Sequence, residues 1–186
     1  FDAVDVSRQV LANYASDVQQ QIAEDFKNKN INAFKNNAAR FIELIADMDD
    51  LLSTRKDFLL GNWLEASKSW GTNKEERKLY EKNARNLITL WGDKNSRLHE
   101  YACKQWSGLL NGFYKKRWEQ FFKYIQSEMG KNKEPDLDHI EQQLKNWEWQ
   151  WVNGQEFYTT IPKGDAVAKA KALHKKYFSL IIKNGS

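Results

Sequence analysis

The 186-residue sequence is poor in the residues that cross-link or interrupt a chain. It has one cysteine, two prolines and nine glycines. The single Cys103 excludes an internal disulfide, so the fold does not depend on an oxidising compartment. No apolar run approaches the roughly 18 to 20 residues of a membrane span, and the sequence shows no charged-then-apolar pattern followed by a small-residue cleavage site. The chain starts at Phe1, not at Met, and we expect it to be a piece of a longer protein or a processed product.

Strong charge of either sign is also lacking, since the formal net charge is only +4. Residues 1–60 hold seven Lys or Arg against ten Asp or Glu, whereas residues 163–186 hold six Lys against Asp165 alone. The short run KKRW at 115–118 combines basic and aromatic side chains, as a phosphate-binding surface does. The overall balance is mild and solvated charged faces are the usual explanation, so we predict no nucleic-acid partner.

What the sequence has in abundance is helix-forming residues with helical periodicity. Apolar residues recur at spacings of three, four or seven over 4–26 and 31–52, which predicts two long helices paired as an antiparallel hairpin. No repeat or alternating strand pattern occurs. The sequence predicts an all-α bundle of about seven or eight helices, forming a single domain over residues 1–186. The further helices are predicted at 57–70, 72–91, from 97 to a bend at Asn111 and Gly112, around Phe121, from Pro135 to Trp151, and after Asp165, which is placed to cap the last of them.

Helix ends carry local signals. Gly71 is placed to end the third helix in a left-handed conformation, and Thr72 with Glu75 has the spacing of a capping box for the fourth. That fourth helix is predicted to bury a stripe that includes Leu79 and Leu87, and to end at Gly92.

Residues 153–164 form the long non-helical segment of the chain. Its apolar side chains, Phe157, Tyr158 and Ile161, are expected to lie against the body of the fold. The preceding helix points Trp149 nearly opposite its apolar stripe, so this ring needs company from the 153–164 segment or from a neighbouring domain.

The sequence offers few residues in patterns suited to catalysis. His99 and Cys103 share one helical face, but a zinc site needs three or four ligands and no spaced partner follows, so no metal site is predicted. Asp47, Asp49 and Asp50 are better explained as solvated charge at a helix end than as a catalytic carboxylate pair or a calcium site. Phosphate-binding loops, dinucleotide-binding glycines and nucleophile motifs are lacking as well. We predict no catalytic residue and no cofactor within this segment.

The loop between two tryptophan-rich stretches is the most distinctive feature. Its flanks read RKDFLLGNWLEASKSWG at 55–71, YEKNARNLITLWG at 80–92 and EYACKQWSGLLNGFYKKRW at 100–118. These strings resemble the C-terminal helical domain of the α-N-acetylglucosaminidases, a family of glycoside hydrolases. The resemblance implies a preceding eight-stranded (β/α) barrel that supplies two catalytic glutamates for hydrolysis with retention. It also implies a substrate with a terminal α-linked N-acetylglucosamine and no metal.

The same resemblance implies that this domain lends residues to the sugar-binding pocket. Trp91 matches a pocket tryptophan of the family and Tyr101 a pocket tyrosine. The apolar contact between them falls on Leu98 or on Arg97, and Leu98 is the better chemical match. Periodicity places Tyr101 at the edge of an apolar stripe, where its hydroxyl can reach a sugar oxygen, whereas periodicity alone would make Trp91 a core residue.

The other tryptophans are predicted to lie in the core or at a domain interface; they are Trp63, Trp70, Trp106, Trp118, Trp147 and Trp151. The alternative function is a stand-alone helical module that binds carbohydrate or protein without catalysis. Free N-acetylglucosamine binding by the isolated segment would favour that module. The family resemblance further implies a secreted, periplasmic or lysosomal location.

Overall fold

The computed structural model describes residues 2–96 and 102–184 as one bundle of helices. Over these ranges it contains seven α-helices, with a 3₁₀ turn at Lys56–Phe58 and a π-helical stretch at Leu110–Lys115. This confirms the predicted all-α bundle. None of the helices in the described ranges combines the length and apolar character needed to cross a bilayer. The helices are α1 Asp2–Lys27, α2 Ile31–Leu52, α3 Leu60–Lys68, α4 Lys74–Leu87, α5 Lys116–Gly130, α6 Leu137–Val152 and α7 Ala166–Asn184.

The predicted hairpin of α1 and α2 forms with the expected bounds. Asn30 caps α2 by accepting a hydrogen bond from the Ala33 N–H through its side chain, which satisfies one of the free amides at a helix start. The continuous apolar stripes of both helices face each other and are covered by α5 and α7. Asp165 caps α7 through the Ala168 N–H at 2.8 Å, as predicted.

A second, smaller core lies between α3, α4, α6 and the π-helical stretch. Phe113 is fully buried there, with its ring centroid 5.0 Å from that of Trp151. Tyr114 packs against both cores, so the two clusters are joined at the π-helical stretch. The buried members of this second core are Leu60, Leu64, Ala84, Ile88, Leu90, Leu109, Phe113, Trp151 and Val152.

The start of α4 differs from the prediction by one residue. Asn73, not Thr72, is the N-cap and accepts from the Glu76 N–H, while the Glu76 carboxylate reaches back to the backbone N–H of Thr72. The predicted apolar stripe of α4 is also wrong at two positions, because Leu79 and Leu87 are exposed. The buried face of the helix holds Glu81 and Arg85 instead. A buried ion pair has no signature in apolar periodicity.

The end of the third helix was wrongly assigned to a left-handed glycine, because positive φ angles among the described glycines occur at Gly108 and Gly164 and not at Gly71. The fourth helix was predicted to reach Gly92, but α4 ends at Leu87. After α4 the left-handed residue is Trp91 itself, at φ 57°.

The predicted fifth helix does not form in its described part. Residues 102–107 are non-helical, and the chain becomes helical only from residue 109. A parallel bridge between Ser107 and Leu59 takes up the backbone groups that a helix would have used. The predicted irregularity at Asn111 and Gly112 falls within the π-helical stretch, where the extra residue per turn is accommodated.

Candidate functional site

Trp91 lies where α4 gives way to the loop. Its backbone N–H donates to the Asn86 carbonyl oxygen at 2.8 Å, and its φ of 57° is left-handed. That conformation is unusual for a large L side chain and costs about 1 to 2 kcal/mol. The residues just before it are buried, whereas Trp91 is 43% exposed. A strained backbone therefore takes this indole out of the core, which corrects the core assignment that periodicity alone favours.

The first part of the loop, residues 92–96, is a compact turn. The Asp93 side chain accepts from the Asn95 N–H at 2.8 Å and the Asp93 carbonyl oxygen accepts from the Ser96 N–H at 3.1 Å. A Cβ on Gly92 would come within 2.7 Å of the Ser96 side chain, so this glycine allows the close approach. The turn follows directly on Trp91 and fixes how the chain leaves it.

The far end of the loop is fixed by the Leu59–Ser107 bridge and by Asp49. The Ser107 N–H donates to the Phe58 carbonyl oxygen at 2.8 Å, and the Leu60 N–H donates to the Ser107 carbonyl oxygen at 3.0 Å. The Asp49 carboxylate accepts from the Gly108 N–H at 2.7 Å. The start of the loop is thus held by hydrogen bonds within residues 86–96, and its far end by hydrogen bonds to distant parts of the chain.

Asp49 was predicted to be solvated charge, and this is wrong. It is buried and accepts from the Asn111 N–H at 3.1 Å and the Ser107 hydroxyl at 3.2 Å, besides the Gly108 amide. Burial raises the pKa of the Asp49 carboxyl above its ordinary value, against the opposing effect of these hydrogen bonds. The carboxylate thereby caps the amides that open the π-helical stretch.

The neighbouring acids have structural partners too. Asp47 accepts from the Tyr177 hydroxyl at 2.6 Å and pairs with Lys176 at 2.6 Å, while Asp50 pairs with Lys169. These contacts hold α7 against α2. The cluster is better explained by helix packing than by general acid and base catalysis.

Two further tryptophans, Trp63 and Trp106, lie near the far end of the loop on the side of the second core. The ring centroids of Trp63 and Trp106 lie 5.9 Å apart, and Trp63 donates through Nε1 to the Ala84 carbonyl oxygen at 3.0 Å. Both pack against the second core, as predicted. Trp70, in contrast, is 80% exposed beyond the end of α3 and is not a core residue of this domain.

The residues between the two fixed ends include the other sequence-predicted site residues. Arg97, Leu98 and Tyr101 lie outside the described residues, as do His99 and Glu100, so their roles stay predictions. Cys103 is exposed at φ 43°. Within the described ranges, no three His, Cys, Asp or Glu side chains are grouped in a way that could hold a metal ion.

The basic run at 115–118 is divided among separate contacts. Arg117 pairs with the buried Glu148 at 3.3 Å, and Lys115 pairs with Glu119 at 3.9 Å. The Trp118 ring packs against the core ring of Phe41 at 5.1 Å. This arrangement does not form the continuous basic and aromatic surface that binds phosphates.

The comparisons with known proteins agree with the motifs around the loop. The family model of the α-N-acetylglucosaminidase (NAGLU) C-terminal domain matches residues 1–176. The chain belongs to this family. The human α-N-acetylglucosaminidase is 27% identical over 179 residues, which cover 96% of this chain and 24% of the human protein.

Solved structures show the same fold. A family 89 glycoside hydrolase from Clostridium perfringens in complex with PUGNAc superposes with a TM-score of 0.82 at 32% identity, covering 94% of this chain and 20% of that one. A double Glu-to-Gln form of the C. perfringens enzyme, bound to its substrate GlcNAc-α-1,4-galactose, gives a TM-score of 0.83 at 29% identity and covers 96% and 21%. The chain therefore spans about a fifth to a quarter of the length of these relatives.

Proposed function

We propose that the chain is the C-terminal helical domain of an exo-acting, retaining α-N-acetylglucosaminidase. In this proposal it completes the pocket for a terminal α-linked N-acetylglucosamine with Trp91, Leu98 and Tyr101. A catalytic barrel earlier in the same polypeptide supplies the two glutamates. The location of that enzyme is secreted, periplasmic or lysosomal.

The exposed indole of Trp91 is the observation that carries this proposal. A ring in the core would not need a left-handed backbone at the end of its helix. Such backbone strain is kept only where the surrounding structure enforces it, and it is found often at ligand sites. A sugar ring offers C–H faces that pack on an aromatic wall and hydroxyls that need a few polar groups. Trp91 supplies such a wall, and we assign Tyr101 the polar contact.

The bonding of the described acids supports a division of labour between domains. Retaining hydrolysis needs two carboxyl groups about 5 to 5.5 Å apart on either side of the glycosidic bond. Glu81 is taken up by Arg85 at 2.7 Å, Glu148 by Arg117, and Asp49 by the loop end. We therefore assign proton donation and nucleophilic attack to the barrel, and sugar binding to both domains.

The test is steady-state kinetics of the full-length enzyme on an aryl α-N-acetylglucosaminide. Removing about 60 Å² of indole contact by Trp91→Ala costs about 1.5 kcal/mol at 25 cal/mol per Å², or roughly a tenfold loss in kcat/KM. Tyr101→Phe removes one hydrogen bond, which is worth about 0.5 to 1.5 kcal/mol. Each variant should keep the unfolding temperature of the parent within a few degrees, because neither side chain is assigned to the core.

Trp70→Ala is the matched control, since it also removes an exposed tryptophan. Its kcat/KM should equal that of the parent enzyme. If Trp91→Ala and Tyr101→Phe both retain the parental kcat/KM, the two residues do not contact the sugar and the proposed pocket role is wrong. Binding of free N-acetylglucosamine by residues 1–186 alone would instead favour the stand-alone module.

A further inference from the structure

Residues 153–164, here called the strap, cross the domain in a non-helical conformation. The strap is tied down near its start by Arg85, whose guanidinium donates to the Glu156 carbonyl oxygen at 2.8 Å and to its carboxylate at 3.2 Å. Near its end the Lys163 N–H donates to the Ser53 carbonyl oxygen at 3.0 Å. The strap is therefore held to α4 on one side of the domain and to the end of α2 on the other.

The strap also packs closely against three glycines of the rest of the domain. A Cβ on Gly61 would collide with the carbonyl oxygens of Tyr158 and Thr159. A Cβ on Gly108 would lie 2.8 Å from the Tyr158 ring, and one on Gly112 would lie 2.6 Å from its hydroxyl. Since three separate positions lack a side chain where the strap passes, its path is fixed by packing as well as by hydrogen bonds.

The strap nevertheless leaves two of its three apolar side chains in solvent. Tyr158 points inward and its hydroxyl accepts from Trp151 Nε1 at 3.1 Å. Its neighbour Phe157 is 81% exposed and Ile161 is 74% exposed, which contradicts the prediction that both lie against the body of the fold. Trp149 packs against the second core instead, with Lys82 Nζ 4.8 Å from its ring centroid.

An exposed aromatic on a fixed backbone is well suited to binding another surface. Little conformational entropy is lost when a partner covers it, and buried aromatic anchors carry much of the energy of protein interfaces. The strap is also close to the candidate site, because Gly108, against which Tyr158 packs, directly follows the loop end at Ser107. A partner bound to the strap would therefore lie close to the residues that fix the far end of the loop.

We propose that the strap docks against the rest of the same polypeptide, with Phe157 and Ile161 as its apolar contacts. The proposal rests on the proposed function, in which this domain meets a catalytic domain. The matched relatives extend for about four times the length of this chain or more, since the chain covers 20 to 24% of them. A second copy of the chain and an unrelated protein are the other occupants that the experiment tests.

The experiment is hydroxyl-radical footprinting of the full-length protein, read by mass spectrometry. Phe178 on α7, which is 51% exposed, is the internal control. Within this domain Phe157 is the more exposed ring, so docking predicts the reverse order, with Phe157 modified several-fold more slowly than Phe178. Modification of Phe157 at the rate of Phe178 or faster would overturn the proposal. Protection that grows with protein concentration would identify a second copy and would overturn it as well.

A pair of variants gives a second measurement. Phe157→Ser with Ile161→Ser should leave the helical signal unchanged, because both side chains are exposed, and should speed proteolytic cleavage between the domains about tenfold. Val167→Ser, at a residue of α7 that is 53% exposed, should have no effect. Equal cleavage rates in all three proteins would contradict docking by the strap.

These outcomes separate the docking surface from the sugar pocket. A protected Phe157 together with parental kinetics for Trp91→Ala would support docking and reject the pocket role. An accessible Phe157 with impaired Trp91→Ala kinetics would do the opposite.

Discussion

Replacing Asp49 with alanine should destabilise the protein by about 2 to 4 kcal/mol. The change removes the acceptor of two partly buried backbone amides, those of Gly108 and Asn111, at 2.7 and 3.1 Å. Each amide left without an acceptor costs about 1 to 3 kcal/mol. Loss of a buried negative charge offsets part of this, because burial raises the pKa of Asp49 and so disfavours its ionised form.

Asp49→Asn is the informative comparison. One amide oxygen has two lone pairs and can accept from both backbone amides, while the new NH₂ group can donate to the Ser107 hydroxyl. The asparagine variant should therefore lose less than about 1.5 kcal/mol. Urea unfolding followed by circular dichroism measures both free energies. If the alanine variant is as stable as the parent, or if both variants lose the same amount, the carboxylate is not the acceptor that fixes the loop end.

Three further predictions concern the same framework. Gly108→Ala should cost about 2 kcal/mol or more in urea unfolding, because its φ of 88° and its contact with the Tyr158 ring oppose a Cβ, whereas Gly130→Ala, which meets only ordinary contacts, should cost nothing. Arg85→Met should cost about 3 kcal/mol and expose the strap to protease, since the buried Glu81 loses its partner at 2.7 Å and keeps only Lys68 at 3.8 Å; parental protease resistance would contradict this role. The pKa of Asp49 in the folded protein lies above its value of about 3.9 in the unfolded chain. Its contribution to stability should therefore fall as the pH rises from the unfolded pKa through the folded one. The stability of the parent relative to Asp49→Asn should decrease from acid to neutral pH, and an increase would contradict the assignment.

The bundle could be predicted from sequence because its longest helices bury continuous apolar stripes. In α1 and α2 the periodicity of the sequence and the packing of the hairpin agree, so even the helix bounds follow. The cap at Asp165 could be predicted for the same reason, since it depends only on residues within one turn.

The framework of the candidate site could not be predicted, because it depends on contacts between distant residues. Asp49 bonds to residues 58 to 62 positions away, and the Leu59–Ser107 bridge ends a helical pattern that looks continuous in sequence. Arg85 reaches 71 positions to the strap. The exposure of Trp91 follows from a left-handed backbone that periodicity does not report.

The most direct test of the proposed pocket is a crystal structure of the full-length protein with bound N-acetylglucosamine. We predict that the Trp91 ring lies within about 4 Å of the sugar carbons, the distance of ordinary van der Waals contact. We also predict a hydrogen bond between the Tyr101 hydroxyl and a sugar oxygen. A bound sugar that neither side chain touches would contradict the claim that this helical domain completes the pocket.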